Sequence, residues 1–398
     1  MFFNKKMKDI FLIIFFIFNI VSINSKEFDA LEIPVKSIRV KGMPKYSDIA
    51  FEDPEFDDNQ DDDIILRSSE GQAFFNANGL YLASLRLGSN QQPFNLLLDT
   101  GSPLIWVSVV GSSDAYPLIH HYDPRISTTS KNTLVPFNIK YGSGNCAGYY
   151  YIDRFTYPGN SQFSCRFGAA SITNFNVYQG DGIIGLSRNY NEINLSFIYS
   201  IKNAQISNSL AFSLKFNVKN NQIVGKMILG KDSDFSQPNL ATCPLVTLSV
   251  NPIFWACTLS TFGFKSSKAS QTYNVGKGVI FDTGTNNILL PTECFQQLKT
   301  RIKKFNCDYQ QAQGSYRLIC QLNDYIPDFT LNFNGHEFTI PRSIFYVLYN
   351  NNILIPSLIF TDNVPAPIIG SPFFIAIHTL FDHNSNVMTF APSFGTIK

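Results

Sequence analysis

The feature that most constrains this chain is a phrase of seven residues that occurs twice. Residues 96–102 read LLLDTGS and residues 279–285 read VIFDTGT, so Asp99 and Asp282 stand 183 residues apart. Each copy begins with an apolar run that predicts a buried strand, and its glycine permits a tight turn directly after the carboxylate. The repetition predicts two similar halves that each bring one aspartate to a shared boundary.

A pair of carboxyl groups at such a boundary has a particular chemistry. Two carboxylates held a few ångströms apart cannot both ionise easily, so they share one proton. The ionised partner can take a proton from water while the protonated partner polarises a carbonyl group. The alternative is that Asp99 and Asp282 are two unrelated aspartates at ordinary strand-to-turn junctions.

From about residue 70 to the C-terminus, the sequence resembles the pepsin-like aspartic proteases, through these two phrases and their flanking residues. The resemblance implies an all-β, bilobal fold in which the active-site cleft lies between two similar β-rich lobes. It also implies an endopeptidase whose two catalytic aspartates activate a water molecule in acid, with polypeptide substrates, no cofactor and no metal. The phrases at residues 181–186 (DGIIGL) and 368–370 (IIG) match the strands that support the catalytic loops in that family.

We divide the chain into four parts. We expect a signal peptide at 1–25, a prosegment with an acidic spacer at 26–67, an N-terminal lobe with the first Asp motif and the flap at 68–206, and a C-terminal lobe with the second Asp motif at 207–398. The composition agrees with a β-rich globular protein, because Phe (37) and Tyr (18) are abundant and aromatic side chains suit pleated, half-buried surfaces. Since no basic block is interleaved with aromatic residues, we expect no nucleic-acid partner, and we expect a monomer.

The first 25 residues have the layout of a secretory signal peptide. Three lysines precede an apolar stretch at residues 10–23, which is short for a membrane span. We therefore expect entry into the secretory pathway, with a lysosome, a digestive vacuole or the outside of the cell as the destination, and no membrane anchor in the mature form. A signal anchor is the alternative.

Residues 26–67 differ in character from the rest of the chain. Residues 33–41 alternate apolar and basic side chains as a strand could, and an acidic run follows at 52–63. Residues 1–67 carry a net charge of −4 (9 Lys and Arg against 13 Asp and Glu), so the remainder carries +5 (31 − 9 = 22 against 30 − 13 = 17). This region is either a solvated linker or an inhibitory prosegment in which Lys45 and Tyr46 match the zymogen pair of the family.

Several further residues acquire a role through the resemblance. Residues 137–144 (FNIKYGSG) predict a hairpin, which becomes the flap over the substrate, although hairpin packing alone is the alternative. The hydroxyls that follow the two motif glycines can hydrogen-bond the carboxylates and hold them in place. The predicted supports of the dyad are Gly101, Ser102, Gly284 and Thr285, and the predicted flap and substrate-binding residues are Tyr141, Gly142, Ser143, Trp106, Leu97 and Ile183.

The seven cysteines allow three disulfides and leave Cys294 over. The resemblance implies the pair Cys307–Cys320. We also predict Cys243–Cys257 around a hairpin that turns at residues 251–252, and Cys146–Cys165 around one that turns near 158–159, although sequence alone does not fix a pairing. Residues 194–196 form a glycosylation sequon at Asn194, and residues 293–304 predict a helix.

Two rival functions belong to other classes. One is a catalytically inactive pepsin-like protein that binds peptides, although such homologues usually lose an aspartate, a motif glycine or the flap, and this sequence keeps all three. The other is a secreted structural β-protein, which would have no need of two matched Asp-Thr-Gly turns.

Overall fold

The structure is a computed structural model, and it describes most of the chain. The described residues are 30–38, 66–67, 73–74, 80–114, 120–142, 144–156, 162–175, 180–188, 196–207, 209–219, 222–230, 232–237, 240–248, 253–267, 269–323, 326–350 and 352–392. The predicted signal peptide lies outside these residues, and so do Lys45, Tyr46, Ser143 and Asn194.

Strands dominate the fold, as the all-β prediction required. Those that begin before residue 206 are β1 (Ala30–Ile38), β2 (Leu66–Arg67), β3 (Ala73–Phe74), β4 (Leu80–Leu87), β5 (Gln92–Asp99), β6 (Trp106–Asp114), β7 (Lys131–Tyr141), β8 (Gly144–Thr156), β9 (Gln162–Phe175) and β10 (Gly182–Gly185). Those that follow are β11 (Ala211–Lys219), β12 (Gln222–Gly230), β13 (Ala241–Pro244), β14 (Ala256–Lys265), β15 (Ser270–Phe281), β16 (Ile288–Leu290), β17 (Cys307–Ala312), β18 (Ser315–Gln321), β19 (Asp328–Phe333), β20 (His336–Ile340), β21 (Tyr346–Asn350), β22 (Ile353–Pro356), β23 (Leu358–Phe360), β24 (Ile368–Ile369), β25 (Ile377–Asp382) and β26 (Val387–Pro392).

Helices are short and few among the described residues. They are α1 (Phe197–Asn203), α2 (Thr292–Leu298), α3 (Arg342–Phe345) and α4 (Ser371–Ala376), with 3-10 turns at Pro124–Ile126, Ser233–Ser236 and Ile302–Phe305. The helix predicted for residues 293–304 ends early, because Arg301 N–H bonds to Leu298 O and the chain tightens into the 3-10 turn that follows. Within the described residues, no helix has the length and apolarity needed to cross a membrane.

The described strands form two large sheets and a small third one. One large sheet has the strand order β13-β26-β25-β11-β12-β1-β4-β5-β10-β6-β9-β8-β7, and the other runs β20-β19-β14-β15-β24-β16-β23-β18-β22-β21 with β17 paired to β18. β2 and β3 pair only with each other among the described strands. β1 lies inside the first sheet, antiparallel to β12 on one side and to β4 on the other.

The two duplicated phrases end strands that are buried on both faces. In β5, Leu96 and Leu98 belong to the main core, while Leu97 belongs to a separate apolar cluster beneath the β7–β8 hairpin. In β15, Val279 and Phe281 point into the main core and Ile280 into a third cluster. Burial on both faces explains why each phrase begins with an uninterrupted apolar run.

Two disulfides are present, and both lie after residue 206. Cys307 and Cys320 are opposite each other in the β17–β18 register. Cys243 and Cys257 are also bonded, but the hairpin predicted between them is wrong: β13 belongs to the first sheet and β14 to the second. This disulfide therefore joins the two sheets.

The predicted Cys146–Cys165 disulfide is wrong, because both thiols are free and buried. In the β8–β9 ladder, Cys146 pairs with Thr173 and Cys165 pairs with Asp153. The two cysteines therefore stand at unequal distances from the turn that joins their strands. Cys146 lies in the apolar cluster beneath the hairpin and Cys165 in the main core.

Candidate active site

Asp99 and Asp282 stand at the carboxyl ends of β5 and β15, where each is supported by a neighbouring parallel strand. β10 runs parallel to β5 and places Gly185 beside Asp99. β24 runs parallel to β15 and places Ile369 beside Phe281. The phrases DGIIGL and IIG thus lie directly against the two aspartate loops.

Each carboxylate receives the same two hydrogen bonds from its own loop. Gly101 N–H donates to Asp99 Oδ1 at 2.9 Å, and the Ser102 hydroxyl donates to Asp99 Oδ2 at 2.5 Å. Gly284 N–H donates to Asp282 Oδ1 at 2.8 Å, and the Thr285 hydroxyl donates to Asp282 Oδ2 at 2.6 Å. These bonds fix the orientation of both side chains before any substrate arrives.

The middle residues of the two motifs hold the loops together. Thr100 N–H donates to Thr283 Oγ1 at 3.0 Å, and Thr283 N–H donates to Thr100 Oγ1 at 3.0 Å. Each hydroxyl then donates across the boundary, Thr100 to Phe281 O at 2.8 Å and Thr283 to Leu98 O at 2.7 Å. Both threonines are fully buried. Our sequence reasoning missed this clasp, although the repeated Thr could have suggested it.

The motif glycines allow the two carboxyl groups to come together. A Cβ atom at Gly101 would lie 2.7 Å from Asp282 Oδ1, and one at Gly284 would lie 2.7 Å from Asp99 Oδ1. A larger residue at either position would collide with the opposite carboxylate. Glycine is therefore required here by the close approach of the opposite side chain.

The surroundings of Asp99 disfavour its ionised form. Burial raises the pKa of Asp99 well above its usual range, and the neighbouring Asp282 carboxylate, within hydrogen-bonding reach, raises it further. The Ser102 and Gly101 hydrogen bonds act in the opposite direction. The net result is a pair of carboxyl groups that retains one proton at a pH at which an isolated carboxyl group would have lost it.

The β7–β8 hairpin brings Tyr141 over the dyad region. Trp106 Nε1 donates to the Tyr141 hydroxyl at 3.0 Å, which links the hairpin to the strand that follows the first Asp motif. Burial raises the pKa of Tyr141 well above its usual range, so the phenol stays neutral. Gly142 is exposed in the turn at the tip.

We call the apolar group beneath this hairpin the flap cluster. Its buried members are Leu82, Leu97, Leu104, Trp106, Phe137, Cys146, Ala170 and Ile183, with Tyr141 packed against it. The structure thus brings together Leu97, Ile183, Trp106 and Tyr141, which the sequence analysis selected. It adds Cys146, which the sequence analysis had assigned to a disulfide.

A second group of titratable side chains lies away from the dyad. His378 Nε2 is 3.1 Å from Asp232 Oδ2, and His378 Nδ1 is 3.3 Å from Asp234 Oδ2. Lys215 also pairs with Asp234. Because the two ring nitrogens face different carboxylates and Lys215 already pairs with one of them, this geometry suits an internal polar network better than a metal site.

The fold and site define a class: a two-lobed β-protein with an acid dyad at the boundary between matched strands. The chain belongs to the eukaryotic aspartyl protease family, whose sequence model matches residues 80–393. By this membership it is an aspartic-type endopeptidase.

Individual relatives of known identity agree with this assignment. Gastricsin of Oryctolagus cuniculus is 27% identical over 323 residues, which cover 78% of this chain and 81% of the relative. The probable vacuolar protease A of Trichophyton verrucosum is 27% identical over 332 residues (77% of this chain and 76% of the relative). Pepsin A of Bos taurus is 26% identical over 322 residues (78% and 84%).

Proposed function

We propose that Asp99 and Asp282 are the catalytic pair and hydrolyse peptide bonds by direct attack of water. The observation that carries this proposal is the contact of two carboxyl groups at matched loop positions, an arrangement in which the pair shares one proton. One carboxylate removes a proton from water while the other, protonated, donates to the substrate carbonyl oxygen. The proton taken from water then passes to the leaving nitrogen as the C–N bond breaks, and the other carboxylate recovers its proton from a hydroxyl of the tetrahedral intermediate. Each aspartate therefore acts once as base and once as acid, and no covalent intermediate with the enzyme forms.

The substrate is a polypeptide in extended conformation. Extended peptides bind by main-chain hydrogen bonds to strand-like walls, and the flap hairpin offers such a wall on one side of the dyad. The flap cluster provides an apolar surface, through Leu97, Tyr141 and Ile183, for the side chain beside the scissile bond. Closure of the hairpin would exclude bulk water from the reacting groups.

The working pH is acidic, because the reaction needs one carboxyl group protonated and the other ionised. As pH rises, the pair loses its shared proton, and as pH falls, the second carboxylate becomes protonated. Activity therefore follows a bell-shaped profile whose two limbs belong to the pair and to neither residue alone.

The enzyme is made as a zymogen in the secretory pathway, for a vacuole or for secretion. The support is the N-terminal layout, with a signal peptide at 1–25 and a prosegment at 26–67, and the position of β1 inside the first sheet. Lys45 and Tyr46 of the prosegment would block the dyad, since an ammonium group between two carboxylates favours their ionised forms and occupies the place of the water. Acid would protonate the dyad and the acidic run and so release the prosegment.

The test is digestion of a denatured protein substrate across pH 2–8 by the acid-treated protein, with and without pepstatin. We expect cleavage in acid that pepstatin abolishes. The matched controls are Asp99→Asn and Asp282→Asn, which should fold and remain inactive. Pepstatin binding without cleavage by the wild-type protein would instead support the inactive, peptide-binding alternative.

A further inference from the structure

Two buried aromatic side chains each donate one hydrogen bond across the boundary between the halves. The Tyr81 hydroxyl donates to Ser371 O at 2.8 Å, and Trp255 Nε1 donates to Leu186 O at 2.8 Å. Tyr81 precedes Asp99 in the chain by a short stretch of the same half, and Trp255 likewise precedes Asp282. Both rings are completely buried.

The accepting residues are the ones that support the aspartate loops. Leu186 N–H donates to Asp99 O at 2.8 Å. Leu186 therefore contacts the first loop through its N–H, and its carbonyl oxygen accepts the hydrogen bond from Trp255. Ser371 N–H donates to Thr285 O at 2.8 Å, so Ser371 links the second loop to Tyr81 in the same way.

The two connections are crossed. Tyr81 comes from the half that carries Asp99 but supports the segment under Asp282. Trp255 comes from the half that carries Asp282 but supports the segment under Asp99. The distance between the two carboxylates therefore depends on both connections, in addition to the threonine clasp.

We propose that Tyr81 and Trp255 are positioning residues that set the separation and relative orientation of Asp99 and Asp282. This inference rests on the proposed function, since it assumes that the pair is catalytic. Neither ring touches the reacting atoms in this arrangement; each acts through one backbone residue. The Tyr81 ring stacks on Phe216 with centroids 4.1 Å apart, which fixes the direction of its hydroxyl. Burial also raises the pKa of Tyr81, so its hydroxyl stays a donor throughout the working range.

Tyr81→Phe tests the proposal with minimal disturbance, because it removes the hydroxyl and keeps the stacked ring. A misplacement of about 1 Å at a reacting group can cost about 10²-fold in rate. For the partial release expected here, kcat should fall by about 10-fold with KM changed less than about 2-fold, and the limbs of the pH profile should move relative to wild type.

The matched control is Tyr122→Phe. Tyr122 is equally buried in the same half. Its hydroxyl donates to Asp153 and is also hydrogen-bonded to the Ser130 hydroxyl, each at 2.7 Å and away from the supporting segments. This variant should lose thermal stability and keep the wild-type kcat and pH profile. If Tyr81→Phe fails to fold, a second test replaces Trp255 by benzothienylalanine. This amino acid lacks the indole N–H and keeps the shape of the ring.

The outcomes separate the two proposals. If wild type cleaves substrate and both the Tyr81 and Trp255 variants keep its kcat and pH profile, the positioning role is overturned while the proposed function stands. If wild type does not cleave under any condition, the proposed function fails and the positioning role fails with it. A fall in kcat for Tyr122→Phe equal to that for Tyr81→Phe would show a general effect of stability and would also overturn the positioning role.

Discussion

Asp99 and Asp282 receive the same pair of hydrogen bonds from their own loops, but the two halves surround them differently. The half with Asp99 carries the flap hairpin and the flap cluster. Asp99 is buried, with 6% of its surface exposed, whereas Asp282 is only partly buried. The half with Asp282 contains both disulfides. The local phrase therefore sets the geometry of a carboxylate, while distant residues set its environment.

The largest expected effect is the loss of catalysis, and it should be the same for both aspartates despite their different surroundings. Asp99→Asn and Asp282→Asn should each lower kcat by at least about 10²–10⁴-fold, because either amide removes the shared-proton chemistry. Single-turnover cleavage of a fluorogenic peptide at acid pH measures both variants. If one variant kept more than a few per cent of wild-type turnover, the two aspartates would not act as a pair.

The second effect concerns the disulfides, which only the half with Asp282 contains. Removing Cys307–Cys320 by a double Ala substitution should lower the free energy of unfolding by about 3 kcal/mol, since the bridge closes a short loop. The contrasting variant replaces Cys146 and Cys165 by Ala. It should retain the wild-type loss of thermal stability on adding a reductant, because these thiols are free. If alkylation of the unreduced, denatured wild-type protein failed to label Cys146 and Cys165, the two cysteines would be paired.

The third effect should again be equal in the two halves. Thr100→Val and Thr283→Val each remove a hydroxyl from the clasp and leave a buried N–H and a buried carbonyl without that partner. Each substitution should cost about 1–3 kcal/mol of the free energy of unfolding, measured by urea denaturation. Clearly unequal costs would mean that Thr100 and Thr283 do not contribute equally to the free energy of unfolding.

The smallest effect is the pH dependence of stability that follows from the buried dyad. The folded-state pKa of Asp99 is raised, so its contribution to stability is present below the unfolded carboxyl pKa of about 3.9 and is lost as pH rises through the folded pKa. Asp99→Asn should therefore raise the Tm at pH 7 relative to wild type, with no such gain at pH 3.

The control for this pH experiment is an exposed carboxyl group with the opposite shift. The Lys303 side chain lowers the pKa of Asp308, so Asp308→Asn should lower the Tm at pH 7 slightly. An increase in Tm for Asp99→Asn that is the same at pH 3 and pH 7 would remove ionisation as its cause.

The sequence was sufficient to predict the fold class and the meeting of Asp99 with Asp282, because the signals for both are local. An apolar run into Asp-Thr-Gly predicts a buried strand and a turn, and its repetition predicts the pairing of Asp99 with Asp282. The flap hairpin likewise follows from alternation before a glycine-rich tip.

Features that depend on register or on distant partners were not predictable. The position of Cys146 opposite Thr173 is set by the β8–β9 register, which no pattern around either cysteine reveals. The residues between Cys243 and Cys257 predict one hairpin, although the two cysteines lie in strands of different sheets. Tyr81 and Trp255 stand in ordinary apolar surroundings, and only the three-dimensional structure shows which carbonyl each one meets.

The threonine clasp has the form of an isologous contact, in which the same surface is used from both sides, as at the two-fold axis of a homodimer. In a true homodimer, a single codon change alters both sides of such an interface together. Here the two sides are encoded separately, so Ser102 can differ from Thr285 while the clasp stays the same in both directions. A single chain can thus preserve a two-fold contact at its centre while each carboxylate acquires its own surroundings.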